Sequence, residues 1–412
     1  MGDSMIASYR ILDLTDEKGP LCCKLLGDLG ADVIKIEKPG GDPARRIGPF
    51  YQDDPDPEKS LFWFAMNTSK RGITLDIQTT AGQELFRKLV RKADVVVESF
   101  PPGYMDELGL GYSSLEKENP RIIMVSITPF GQEGPYVDYK APDIVAWAMG
   151  GYMFPWTDAD HPPIRVSHHS QAYLQGSAQA ASGAMMALLH RGITDQGQHV
   201  DVSIHESVVL ASYLLFTSWD LNKTLWDRST TGISSTRLQQ LWPCQDGYIV
   251  WLYWGGDRAE KRCKPLVEWM EEEGMVSDFL RDCDWLNLDL QEISEEIVEA
   301  MAKPTREFFM KHTKAELLEG GIERGIMMYP VSNVADMFAS RQLSTREFWV
   351  DVDHPELETE LRYPGPFFKS TKTPPAISRR APLIGEHNSE IYESEMGLSQ
   401  EELAHLRQTT VI

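Results

Sequence analysis

His168 and His169, with Ser170, stand ahead of the stretch QAYLQGSAQAASGAMMALLHRGITDQGQ, residues 171–198. An imidazole at that point suits general-base chemistry, although a structural or solvent-exposed histidine is the stronger reading. Adjacent residues point different ways in any regular element, so at most one of the pair can serve a single site. A carboxylate is what the stretch lacks. No Asp or Glu occurs between His161 and Thr194, although 62 of the 412 residues are acidic. Cys22, Cys23, Cys244, Cys263 and Cys283 are odd in number and fit no zinc-ligand spacing. They read as buried, reduced thiols rather than as a nucleophile, and place the chain in the cytoplasm.

Positive charge clusters at the ends of two of the expected strands. Lys38, Arg45 and Arg46 lie in IEKPGGDPARR, and Lys70 and Arg71 in NTSKRGITLD. Cations at strand ends suit a phosphate, although a solvated loop explains them equally well. The chain as a whole carries a formal charge of −22, which disfavours nucleic acid and anionic membrane as partners. No apolar run is long enough for a membrane span, and MGDSMIASYR lacks the apolar core of a signal peptide. The first strand is followed by TDEKGP rather than a glycine-rich dinucleotide turn, so NAD is disfavoured.

These residues need elements to hold them. Apolar, β-branched runs at 9–15, 31–37, 72–77, 94–99 and 121–127 alternate with helical spacing at 19–30, 80–92 and 113–118. That alternation predicts a parallel sheet with helices on both faces. Helices 141–151 and 171–191, strand 199–204 and helix 205–220 follow. Ala172, Gly176, Ala180 and Ala184 recur every four residues and form a low ridge, which favours burial of the acid-free helix. The expected division is a large domain over 1–221, a linker over 222–240, a small α/β domain over 241–325, and a Pro-rich, irregular segment over 326–412 that returns to the large domain. In the small domain, WLYWGGDR (251–258) places Gly255 and Gly256 after strand 247–253, ahead of helices near 257–273, 291–302 and 304–319. The pair permits either close approach of backbone to a ligand or a plain tight turn.

Four stretches together resemble the class III CoA-transferase family (CaiB/BaiF-like). They are ILDLT…GPLCCKLLGDLGADVIKIEKPGGDPARR, NTSKRGITLDIQTTAGQELFRKLVRKADVVVESFPPG, HRGITDQGQHVDVSI and APLIGEHNSEIYESEMGLSQEEL. Order and spacing agree over nearly the whole chain. Around DLTDEKG the chain is similar to the non-catalytic, E-type subunits of benzylsuccinate CoA-transferases within that family. The resemblance implies an α/β fold with a Rossmann-like large domain, a smaller α/β domain and interlocked pairs of chains. It also implies coenzyme A or an acyl-CoA as substrate, and no covalently bound cofactor or metal. Carried over by position, the CoA-binding residues would be Glu17, Lys18, Lys38, Leu75, Asp76, Gln78, Ser99, Phe100, Pro101, Lys140 and Ala141. Ser99 stands where Asn is usual, Glu17 where Gln is common, and Glu107 where a basic or polar residue is often found.

In the family's transferases an Asp at the head of the helix corresponding to 171–191 attacks the thioester. Here that position reads Ala172-Tyr173-Leu174-Gln175-Gly176, and a methyl group forms no anhydride. The resemblance therefore implies a subunit without the nucleophile. A homologous catalytic chain would supply it, in an interlocked heterodimer or heterotetramer that moves CoA from succinyl-CoA to an acid such as benzylsuccinate. Three alternatives stay open: a homodimeric racemase or lyase on acyl-CoA; a transferase whose acid has moved to Asp143, Asp158 or Asp160; and a CoA-binding relic without activity. Trp147, Tyr152, Phe154 and Trp156 precede the vacant position and suit either an aromatic acid or ordinary core packing.

Overall fold

The computed structural model describes residues 4–155, 162–165, 167, 169–223, 225, 238–288, 290 and 293–412. Six strands build one sheet: β1 (Arg10–Leu14), β2 (Asp32–Glu37), β3 (Lys70–Thr74), β4 (Val95–Glu98), β5 (Ile123–Thr128) and β6 (His199–Ser203). Their order is β3-β2-β1-β4-β5-β6, and every pairing is parallel. The chain runs outward in both directions from the β1–β4 pair. In such sheets that reversal opens a crevice at the carboxyl ends, where the loops after β1 and β4 meet.

Helices cover both faces, which is why β1 to β5 are buried along nearly their whole length, with apolar runs filling most of β1, β2, β4 and β5. One core gathers α1 (Pro20–Asp28), α4 (Asp143–Met149), the long α5 (Gln171–Thr194) and α6 (Ile204–Ala211). The other gathers α2 (Thr80–Val90), α3 (Tyr112–Glu118) and residues from the end of the chain, including Ile391, Tyr392 and Leu403. The ridge Ala172, Gly176, Ala180 and Ala184 is buried along its length. A Cβ on Gly176 would lie 2.8 Å from Ile204 Cγ1, so only glycine allows α5 to sit this close to α6.

β3 is an edge strand, and the last part of the chain closes it. His387 N–H donates to the Gly72 carbonyl at 2.9 Å, and Gly72 N–H donates to His387 Nδ1 at 3.1 Å. Thr74 N–H donates to Asn388 Oδ1 at 2.9 Å, and Tyr392 Oη donates to the Thr74 carbonyl at 2.8 Å. The motif GEHN thus supplies side-chain and backbone partners that an edge would otherwise leave exposed.

Two compact units emerge. One comprises Met1–Met153, Arg165–Lys223 and Ser344–Ile412, the other Phe154–Ile164 and Thr224–Leu343. The second is built on an antiparallel sheet of β7 (Leu241–Cys244), β8 (Gly247–Val250) and β9 (Tyr329–Pro330). Because β9 completes that sheet, residues 326–343 go with the small unit rather than with the returning segment. Most of the expected linker lies outside the described residues.

Several element bounds also differ from the sequence expectation. Helix 205–220 is broken at Ser212 into α6 and α7 (Tyr213–Asn222). The expected pair at 291–302 and 304–319 is instead one helix, Glu295–Phe309, that runs through Pro304, followed by Lys314–Arg324. Beyond 343 the chain is less irregular than its prolines imply. It forms an antiparallel hairpin of Trp349–His354 with Thr359–Pro364, and then the helix Gln400–Gln408.

Candidate functional site

The first turn of a helix leaves N–H groups without intrahelical partners. At the head of α5 the side chain of the cap residue Ser170 binds none of these N–H groups. Asp143, the first residue of α4, takes over that task. Its Oδ1 accepts from the Ala172 N–H at 2.8 Å and the Tyr173 N–H at 3.3 Å. Its Oδ2 accepts from Arg165 at 3.0 Å. Asp143 and Ala172 are both buried. Tyr173 Oη donates to the Ala141 carbonyl at 3.1 Å. Burial, with Glu17 and Asp143 nearby, pushes this phenol well above its usual range, so it remains protonated.

The loops after β1 and β4 are tied together at the crevice. Asp16 N–H donates to Ser99 Oγ at 2.8 Å, and Ser99 Oγ donates to Asp16 Oδ1 at 2.7 Å. Lys18 pairs with Asp16 through its ammonium, and its carbonyl accepts from Ser177 Oγ of α5 at 2.9 Å. These bonds gather Lys18, Ser99, Ala141 and Ala172 around one end of the sheet. Glu17 is exposed on the same loop. Partial desolvation, and then the neighbouring Asp16, raise its carboxyl above the usual range, against the pull of Lys18.

The remaining carried-over positions are more scattered. Leu75 is fully buried in a core rather than lining a surface. Asp76 Oδ1 accepts from the Gln78 N–H at 3.0 Å, and Gln78 Nε2 donates to Tyr104 Oη at 2.8 Å. Phe100 packs on Tyr104 with ring centroids 4.8 Å apart, beside the exposed Pro101. Lys38 and Lys140 are exposed.

Several cations that looked available for phosphate are consumed by folding. Arg45 is buried against Trp63, with its guanidinium on Glu37 at 2.6 Å and Glu58 at 2.6 Å. Lys70 is buried and donates to Asp13 at 2.8 Å, Asn67 at 2.8 Å and the Pro20 carbonyl at 2.9 Å. Arg71 is held by Asp32, Glu390 and Glu395. Desolvation excludes unpaired charges from a core, and each of these found its carboxylate on another element. Arg46 stays at the surface with Lys38.

His169 is exposed; among the described residues its backbone donates to Ser167 Oγ and accepts from Arg165 and from the Gln171 N–H. His168, Trp156, Asp158 and Asp160 lie outside the described residues. Trp147 is buried against Tyr152, with ring centroids 4.8 Å apart, as core packing requires. Burial pushes the thiols of Cys23, Cys244, Cys263 and Cys283 up, that of Cys263 to about 12, so none of these four is a thiolate at neutral pH. Among the described residues no cluster of three or more His, Cys, Asp or Glu is arranged to hold a metal, and no helix is long and apolar enough to cross a membrane. In the small unit a Cβ on Gly255 would lie 2.6 Å from the Leu288 carbonyl oxygen, and Gly256 has φ of +64°. Within that unit the turn itself accounts for both glycines.

Two sets of groups carry no signal in their own local sequence. Asp143 caps α5 from 29 residues upstream. Glu98, Ser126 and His199 meet at a cavity of about 240 Å³ that also includes Asp106, Tyr112 and Gln132. Their one legible mark is a polar residue in an otherwise apolar strand.

Comparison with known proteins agrees with this geometry. The family model described as CoA-transferase family III matches residues 6–388. The chain is 37% identical to the succinyl-CoA:(R)-benzylsuccinate CoA-transferase subunit BbsE of Thauera aromatica, over 93% of this chain and 92% of that one. It is 30% identical to the succinyl-CoA–L-malate CoA-transferase beta subunit of Chloroflexus aurantiacus, over 99% and 98%. A solved CAIB/BAIF family protein from Brucella suis superposes with a TM-score of 0.84 at 26% identity, over 95% of this chain and 99% of that one. The six-stranded parallel sheet, the crevice at the β1–β4 pair and the match over almost the whole length lead to one conclusion: the chain belongs to CoA-transferase family III.

Proposed function

We propose that this chain is the subunit without a nucleophile in a heteromeric, cytoplasmic CoA-transferase. A homologous chain carries the attacking carboxylate, in an interlocked heterodimer or heterotetramer. The observation that carries this reading is Ala172. It occupies the head of α5 with no exposed surface, and its N–H is already bound by Asp143. No carboxylate can form an anhydride from that position. The subunit named for benzylsuccinate transfer supports succinyl-CoA as donor and benzylsuccinate or a related acid as acceptor.

CoA itself would lie across the β1–β4 crevice, with Lys18 and Ser99 nearest the loops and Lys38 and Lys140 free at the surface for phosphate. Relocation of the acid to Asp143 is disfavoured, because both its oxygens are engaged by Ala172, Tyr173 and Arg165. The racemase or lyase reading loses an acid at the same vacant position. The test is the chain purified alone and with its co-purifying partner, given succinyl-CoA and a panel of acids, then treated with hydroxylamine. Turnover and a trapped acyl group are expected only on the complex, with the acyl group on the other chain. A trapped acyl group on this chain would overturn the proposal.

A further inference from the structure

Glu98 ends β4 and is nearly fully buried. It stands opposite Ser126 in the parallel ladder, and the Ser126 hydroxyl is near enough to pull its carboxyl down against burial. Its Oε2 accepts the Phe100 N–H at 2.7 Å. That bond crosses Ser99, the residue that binds Asp16 twice at the crevice. On the other side Ser126 Oγ lies 2.8 Å from His199 Nε2, and His199 stacks on Tyr112 with ring centroids 5.8 Å apart. His199 is the exposed end of this line and faces the cavity. We propose that Glu98 is a positioning residue for the Ser99–Pro101 loop: its carboxylate holds the Phe100 N–H, and a proton arriving through His199 and Ser126 loosens that hold.

The transfer balances. With Glu98 ionised, Ser126 Oγ–H donates to Glu98 and His199 Nε2–H donates to Ser126 Oγ. A proton taken up at His199 Nδ1 lets the Nε2 proton pass to Ser126 Oγ while the Ser126 proton passes to Glu98. His199 ends neutral with its proton on Nδ1. Glu98 ends neutral and donates to Ser126. The bond to Phe100 then changes from a charge-assisted one to a neutral one, roughly half as strong.

The surrounding charges fit a group that titrates near neutrality. Burial raises Glu98 to about 7, against Ser126, the Phe100 N–H and Lys18, with Asp16 adding to the rise. Partial desolvation of the ring lowers His199, while Asp201 of β6 and Asp106 pull it back up. Tyr112 stays protonated, its phenol raised by burial and Glu116. Burial thus moves the two ends of the line toward each other in proton affinity, Glu98 upward and His199 downward.

The consequence for ligand binding rests on the CoA reading above, so the test has an arm that needs no CoA. Amide exchange of residues 99–104 is measured by mass spectrometry between pH 6 and 8.5, corrected for the intrinsic pH dependence of exchange. The wild-type chain should show about tenfold less protection at pH 6 than at pH 8, with a midpoint near 7. E98Q should show no such titration. H199F, at an exposed position, should keep the fold and shift the midpoint. A flat wild-type profile, or a titration that survives in E98Q, overturns the proposal. Calorimetry with CoA forms the second arm. Affinity that falls with protection in the wild type, but not in E98Q, supports the coupling. The expected exchange profile without CoA binding at any pH would uphold the role of Glu98 and overturn the CoA reading instead.

Discussion

Asp143 Oδ1 lies 2.8 Å from the backbone nitrogen of Ala172, so the helix that would present a nucleophile is instead capped by a carboxylate from the preceding helix. The same carboxylate neutralises Arg165. Asp143→Ala should therefore leave two N–H groups at a helix start unsatisfied and a guanidinium unpaired, at a cost of about 1–3 kcal/mol. Chemical denaturation should place Asp143→Asn between the two, because its amide oxygen still accepts. Equal stability of wild type and Asp143→Ala would show that the cap contributes nothing.

Placing the family's acid back at position 172 should not restore activity to the isolated chain. Ala172→Asp adds a second carboxyl in a fully buried position beside Asp143. Like charges that close cannot both ionise cheaply, so the new group is held protonated and is a poor nucleophile. Hydroxylamine trapping after incubation with succinyl-CoA should detect no acyl group on the variant. Its melting temperature should fall further below wild type as pH rises.

Asp13 holds two buried ammonium groups, with Lys70 at 2.8 Å and Lys35 at 3.7 Å. Burial pushes its carboxyl up, but Lys35 and Lys70 together outweigh that and bring it down to about 2. A depressed folded value means this contribution is present above the unfolded value of 3.8 and is lost as pH falls through about 2. Asp13→Asn should cost about 3–5 kcal/mol at pH 7, because it leaves the Lys70 ammonium without a carboxylate and Lys35 with only Asp42 at 3.5 Å. The difference from wild type should narrow in an acid titration followed by circular dichroism.

Glu98 has the opposite sign. Its folded value is raised from 4.5 to about 7, so the native state binds the extra proton and stability falls as pH rises between those values. Glu98→Gln should therefore gain in melting temperature over wild type at pH 8 compared with pH 5. A difference that is constant across that range would contradict the raised value.

Much of this protein is legible in its residues alone. The alternation of apolar β-branched runs with helical spacing defines a parallel sheet, because strands covered by helices on both faces are mostly apolar. The four-residue ridge from Ala172 to Ala184 marks a helix that packs closely, and Ala172 itself rules out covalent carboxylate chemistry at that point. The tertiary structure decided which charges remain available. Arg45, Lys70 and Arg71 look like phosphate ligands in the chain, yet their partners Glu58, Asp13 and Glu390 lie on other elements, and Glu390 is more than 300 residues away. Only folding brings them together, and desolvation then fixes the pairing. The cap on α5 and the line from Glu98 through Ser126 to His199 are also invisible locally. The first joins two helices across 29 residues, and the second joins three strands side by side. Such groups become neighbours through sheet order and helix packing, which no single stretch of sequence records.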